Sequence, residues 1–211
     1  MEAEIIPAIL VKRREDLLER INRVKGKVTS VHIDVMDNEF VPNKTVGPDD
    51  FAGLPGGVEY EFHWMVKNPE KWIEKVKGRH LHVVHIEAVE NWQAIKEACK
   101  KAGGKLGIAI SPATPIDRLE PVIKDVSRIL VMSVVPGFDG QKYIIQVEGR
   151  IRELRRKYPK LEIEVDGGIG PATAARAHSA GADKLAAASA IFAQPDAGKA
   201  IEDIKNSAKK K

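Results

Sequence analysis

The sequence predicts an α/β fold, a single (β/α)8 barrel of the TIM type over residues 1–211. Three observations predict it. Short β-branched, apolar runs alternate with longer segments of helical period, eight such pairs follow one another, and no linker, low-complexity tract or shift in composition divides them. At 211 residues, 43% hydrophobic and 30% charged, the chain has the material for one sizeable core.

In chain order, strands are expected near 4–10, 28–36, 58–65, 80–87, 105–110, 128–134, 161–166 and 183–187. Most are dominated by Ile, Val, Leu or aromatic side chains, which suit a pleated, buried surface. Helices are expected near 13–24, 69–77, 90–102, 115–123, 141–157 and 171–180, with a short one near 48–53 and a last near 196–207. Their apolar residues recur at helical spacing, which turns one stripe of each helix toward the sheet. Residues 208–211, ending in Lys209, Lys210 and Lys211, are expected to form a disordered basic tail.

The strand faces carry more information than their positions. A parallel barrel is covered on both sides, so its strands should read as continuous apolar runs. Three of them alternate instead. Val31, Ile33 and Val35 share one face against Ser30, His32, Asp34 and Met36; Tyr60, Phe62 and Trp64 oppose Glu59, Glu61, His63 and Met65; Leu161, Ile163 and Val165 oppose Glu162, Glu164 and Asp166. With the apolar faces toward the helices, the polar set lines the barrel interior. Buried carboxylates and imidazoles must be paired, hydrogen-bonded or metal-bound, so that interior has a purpose beyond packing.

Four of these residues come at the C-terminal strand ends, where barrels of this class build their active sites: His32, Asp34, His63 and Asp166. Two imidazoles and two carboxylates suit one first-row divalent cation, and the two carboxylates can also move protons. His85 and Glu87 face the same way by alternation and could orient His63. The segment 40–51, with two prolines and a glycine, is a candidate lid or a rigid loop. Nothing is assigned to His80, His82 or His178.

Composition excludes other classes. The net charge of +4, from 34 basic and 30 acidic residues, sits partly in the lysine tail, so no nucleic-acid partner is expected. Cys99 is the only cysteine, which rules out an internal disulfide and fits a reducing compartment. Without an apolar run of about 20 residues or a signal-like start, the expectation is a cytoplasmic protein with no membrane partner.

The runs HIDVMDNEFVPN at 32–43, HWMVKNPE at 63–70, HIEA at 85–88, SPATP at 111–115, VMSVVPGFDGQKY at 131–143, EVDGGIGPATA at 164–174 and ASAIF at 188–192 occur in one order over nearly the whole chain. In these runs the chain resembles the ribulose-phosphate 3-epimerase family. The resemblance implies a metal-dependent isomerase of carbohydrate metabolism, in the pentose phosphate pathway, that interconverts D-ribulose 5-phosphate and D-xylulose 5-phosphate through an enediolate. It implies His32, Asp34, His63 and Asp166 as metal ligands and Asp34 and Asp166 as the acid/base pair. The cofactor expected is one divalent ion (Zn, Fe, Mn or Co, with Zn favoured), and the expected partners are a phosphorylated ketose and further copies of the chain.

Substrate contacts are expected from His63 and Asp166, from Met36, Met65 and Met132 as an apolar cap over a planar intermediate, and from Ala8. For the phosphate, Gly137, Phe138, Asp139, Gly140, Gly167, Gly168, Ala188 and Ser189 offer backbone donors near a helix start. The chain departs from the family at Ala8, where a serine is usual, and at Asp139 and Ala188, where glycine is usual. Two alternatives follow: an epimerase of another ketose phosphate such as a hexulose 6-phosphate, or a non-catalytic barrel that binds sugar phosphate or metal.

Overall fold

A computed structural model describes residues 2–209. Eight parallel strands close on themselves, each beside its sequence neighbour, with the first also paired to the last. They are β1 (Glu4–Ile9), β2 (Ser30–Met36), β3 (Glu59–Met65), β4 (Leu81–His85), β5 (Lys105–Ile110), β6 (Arg128–Met132), β7 (Glu162–Asp166) and β8 (Lys184–Ala187). Among the described residues, seven α-helices surround them: α1 (Arg14–Val24), α2 (Pro69–Ile73), α3 (Trp92–Ala102), α4 (Val147–Lys157), α5 (Pro171–Ala180), α6 (Ser189–Phe192) and α7 (Ala197–Lys209). This is the predicted (β/α)8 barrel.

The alternating strands behave as their patterns require. Val31, Ile33, Val35, Phe62, Trp64, Ile163 and Val165 are buried in the large cluster between barrel and helices, against helix residues such as Leu17 and Ile21 of α1 and Ile95 of α3. The barrel interior divides in two. Val83, Ala109, Leu130 and Met132 make an apolar side, while His32, Glu61 and Glu164 fill the other and are equally buried. Register then fixes which groups meet: Asp34 lies opposite His63, Met36 opposite Met65, and Met132 opposite Asp166.

Several elements differ from expectation. Residues 115–123 form two 3-10 turns, Ile116–Leu119 and Ile123–Asp125, because Pro121 lacks an N–H and disrupts a continuous helix. α2 ends at Ile73, four residues early, ahead of the left-handed Gly78. α4 starts only at Val147, since Ile144 N–H bonds back to Ser133 O and holds 133–144 as a loop. β4 stops at His85, and Ile86–Ala88 is a 3-10 turn. At the C-terminus, Ala208 is buried and Lys209 ends α7 with an ion pair to Glu2, so these two residues do not belong to a disordered tail; residues 210–211 lie outside the described ones.

Candidate active site and metal centre

The four predicted residues converge at the C-terminal mouth of the barrel. One donor atom from each of His32, Asp34, His63 and Asp166 lies within 4.8 Å of all the others. His63 Nδ1 is 2.9 Å from Asp34 Oδ1 and 4.0 Å from Asp166 Oδ2, and His32 Nε2 is 3.2 Å from Asp34 Oδ1. A second group, His32, Glu61 and Glu164, is similarly compact. It is an ion-pair network: Arg128, reaching up from the start of β6, donates to both glutamates, 2.8 Å from Glu164 Oε2.

That network holds His32 from below. Its Nδ1 lies 2.5 Å from Glu61 Oε1, which leaves Nε2 directed at Asp34 and the mouth. Burial opposes charge on His32, yet Asp34, Glu164 and Glu61 around it raise it well above an ordinary imidazole. The acidic groups around His32 favour positive charge at this point of the site. Four buried carboxylates facing one arginine and two imidazoles make a donor set that fits a divalent ion.

The two aspartates are pushed in opposite directions. Burial and the charge of Asp34 raise the Asp166 carboxyl to about 8. Burial alone would raise Asp34 too, but the charge and hydrogen bond of His32, followed by those of His63, hold it well below the usual carboxylate range. Burial brings His63 down to about 4, so it is neutral near pH 7 and keeps a lone pair.

A cleft opens above this cluster. Asp34, Met36, Met65, Met132, Gly137, Phe138, Asp139, Gly140, Asp166, Gly167, Gly168, Ala188 and Ser189 line it, as the sequence predicted. Ala8 and His63, also expected at the substrate, do not line it: both side chains are buried, and Leu10 is among the lining residues instead. Val134, Pro136, Gln141, Ile169 and Ala186 complete the lining and were not foreseen. Val134 and Ala186 were within reach of strand periodicity; Gln141 sits in a loop that carries no such signal.

Met36 and Met65 pack with Val41 and are joined by Leu10 and Phe40, forming an apolar roof. The 37–45 segment that supplies it is tied down. Thr45 Oγ1 donates to Asp34 O at 2.7 Å and accepts from Met36 N–H at 2.9 Å, and Asn43 Nδ2 donates to Gly137 O at 2.8 Å. Of the two options for this stretch, a built loop fits better than a loose lid. Across the cleft, Gly168 has φ +63°, and a Cβ there would fall 2.6 Å from Tyr143 N. Only glycine lets the two loops approach so closely.

Two of the histidines left unassigned, His82 and His178, are tied into the fold. His82 Nδ1 accepts from Trp64 Nε1–H at 3.2 Å, and His178 Nδ1 lies 2.8 Å from Ala182 O.

Comparison with known proteins decides the family. The Ribulose-phosphate 3 epimerase family profile matches residues 4–192. The chain belongs to the ribulose-phosphate 3-epimerase family. It is 36% identical to the cytoplasmic isoform of ribulose-phosphate 3-epimerase from Oryza sativa subsp. japonica, over 97% of this chain and 94% of the rice protein. The Bacillus subtilis ribulose-phosphate 3-epimerase is also 36% identical, over 97% of this chain and 99% of that protein. Among solved structures, 3-hexulose-6-phosphate synthase from Salmonella typhimurium superposes with a TM-score of 0.72 at 17% identity, covering 97% of this chain and 98% of its own, a likeness of fold alone. For this epimerase-family chain, no helix among the described residues is long and apolar enough to cross a membrane.

Proposed function

We propose that the chain, acting as one barrel domain, interconverts D-ribulose 5-phosphate and D-xylulose 5-phosphate by moving the proton on carbon 3, with Asp34 and Asp166 as the acid/base pair. The observation that carries this is the pair itself: two carboxyls from different strands, β2 and β7, brought to one mouth of the barrel within the four-residue donor group. Inverting a carbon beside a ketone takes a proton from one face and returns one to the other, so two groups are needed. β2 and β7 are separated on the barrel by β1 and β8, which allows their carboxyls to reach a flat intermediate from different sides.

His32, Asp34, His63 and Asp166 are the residues that would hold the cation. A divalent ion bound there supplies Lewis-acid stabilisation of the negative charge that develops on substrate oxygens. Zinc is the favoured ion for this mixed nitrogen and oxygen set. Met36, Met65 and Met132 exclude water from the carbon that loses its proton. Backbone N–H groups of Gly137, Phe138, Gly167, Gly168, Ala188 and Ser189 are the proposed phosphate cradle, bordered by Asp139 and by Gly140, whose own N–H donates to Asp139 Oδ1 at 2.6 Å, with Leu10 in the place expected for Ala8.

A homo-oligomer belongs to the same reading, supported by three exposed large apolar residues on one loop, Val135, Phe138 and Ile145. A cytoplasmic location is supported by the name of the rice relative. The relatives give no support to a different ketose phosphate or to a non-catalytic barrel.

The test is conversion of ribulose 5-phosphate in deuterated water by zinc-loaded and metal-free protein. Xylulose 5-phosphate carrying deuterium at carbon 3, formed only by the loaded protein, is the expected result. A folded, loaded protein that exchanges no more than the metal-free control would refute it.

A further inference from the structure

We propose that His85 and Glu87 are positioning residues: they hold His63 in the tautomer whose Nδ1 lone pair faces the cation, without touching substrate. This rests on the metal reading above.

Glu87 sits beyond the end of β4. Its Oε1 accepts from the Ser111 backbone N–H at 2.9 Å, and its Oε2 lies 3.0 Å from His85 Nδ1. Burial would raise this carboxyl, but the hydrogen bonds it accepts from His85, Thr114 and the Ser111 N–H hold it below the usual carboxylate range. An ionised carboxylate can only accept, so His85 Nδ1 carries the proton. A histidine that ligates through Nδ1 keeps its proton on Nε2, and His63 Nε2 is 2.8 Å from His85 Nε2, the acceptor for it. Two lone pairs cannot face each other at that distance, so His63 Nε2 carries a proton and donates it. When the cation is bound, His63 Nδ1 is the bare nitrogen; it lies 2.9 Å from Asp34 Oδ1, to which it can donate only in the cation's absence, and it belongs to the four-residue donor group. With a cation between those atoms, two protons satisfy both remaining contacts in the chain.

The surroundings preserve this order. His63 and His85 are fully buried and stack with centroids 4.9 Å apart and planes at 25°, and Phe40 lies over His85 at 5.1 Å. The Ser111 loop is itself anchored, with Arg150 donating to Thr114 O at 2.5 Å. Partners that fix the tautomer of a ligating histidine are worth about 10- to 100-fold in metal affinity.

Glu87→Gln tests this with almost no change in shape. Its amide must turn a donor toward either His85 Nδ1 or the Ser111 N–H; turned toward His85, it reverses the proton order and puts a proton on His63 Nδ1. Zn²⁺ affinity of metal-free protein, measured by competition with a chromophoric chelator, is expected to fall about 10- to 100-fold in E87Q. H85Q keeps an acceptor toward His63, so affinity should be largely retained, and adding E87Q in that background should change it by less than about twofold. In the zinc-loaded wild type, ¹⁵N-labelled ring resonances should show His85 protonated at Nδ1.

Three results overturn the proposal: E87Q binding zinc within about twofold of wild type, a loss in E87Q that persists undiminished in H85Q, or wild-type His85 protonated at Nε2. If the wild type binds no zinc, the metal reading falls with it. If it binds and these variants misbehave, only the positioning role falls.

Discussion

Arg128→Met is expected to destabilise the fold by about 3–5 kcal/mol, because it removes the counter-charge of two carboxylates and leaves them buried. Glu61 is 2% exposed and Glu164 is 0% exposed, and Arg128 donates to both. Its guanidinium also reaches Glu162 Oε2 at 3.0 and 3.1 Å, but that partner is half exposed and adds little. Burial and the charge of Glu164 already push Glu61 up to about 7, so in the variant Glu61 takes up a proton at neutral pH and the loss falls toward the lower bound. At about 2–4 °C per kcal/mol for a chain of this size, the unfolding midpoint should drop by roughly 6–20 °C.

Thermal and urea unfolding of metal-free protein, at neutral pH and again near pH 5, makes the assay. Without Arg128 both glutamates have folded pKa values raised above their unfolded ones, so their stability contribution is greatest in acid and is lost as pH rises. The deficit against wild type should therefore shrink at the lower pH. E61Q combined with E164Q should recover most of it at neutral pH. A loss below about 1 kcal/mol, or one equal at both pH values, would refute the account of this network.

Other outcomes follow from the same geometry. Chelation is expected to abolish turnover and lower the unfolding midpoint, with zinc restoring both; full activity in protein stripped of metal would contradict the site. Burial lowers His82 from 6.5 to about 3, so its neutral form stabilises the fold above pH 6.5, and that contribution is lost as pH falls toward 3. His82→Asn keeps an acceptor for Trp64 and should flatten the acid limb of stability by about 2–3 kcal/mol between pH 6.5 and about 4.5; an unchanged slope would count against it. Gly168→Ala should raise KM for the sugar phosphate at least about tenfold, since its Cβ would fall 2.6 Å from Tyr143 N and force the two cleft loops apart. Steady-state kinetics on the folded variant decide this.

Much of the site was legible because strand alternation writes it directly. A polar residue at every second position of β2, β3 and β7 can only be inward, and register brings Asp34 beside His63. What stayed hidden depends on reach and on loops. Arg128 reads as a charge at the edge of an apolar strand, and only its long side chain, turned up the barrel, joins it to Glu61 and Glu164. His85 and Glu87 were visible as inward residues, but not the chain of contacts that joins them to His63, because β4 ends at His85 and a 3-10 turn aims Glu87 back. The expected helix at 115–123 failed for a local reason, Pro121, where apolar spacing was given more weight than the missing N–H. Ala8 was expected at the substrate because the resemblance aligned it there; it is buried beside His32, and the cleft is lined by Leu10.

The central claim is that two carboxyls, one on each side of the substrate, move the carbon-3 proton. Its most direct test is proton NMR of ribulose 5-phosphate and, separately, xylulose 5-phosphate in deuterated water with zinc-loaded wild type, D34N and D166N. Wild type should put deuterium at carbon 3 of the product in both directions, and each variant should lose at least about a thousandfold in turnover from both sugars. A folded, zinc-binding D34N or D166N that still epimerises either sugar at a rate near wild type would contradict the account.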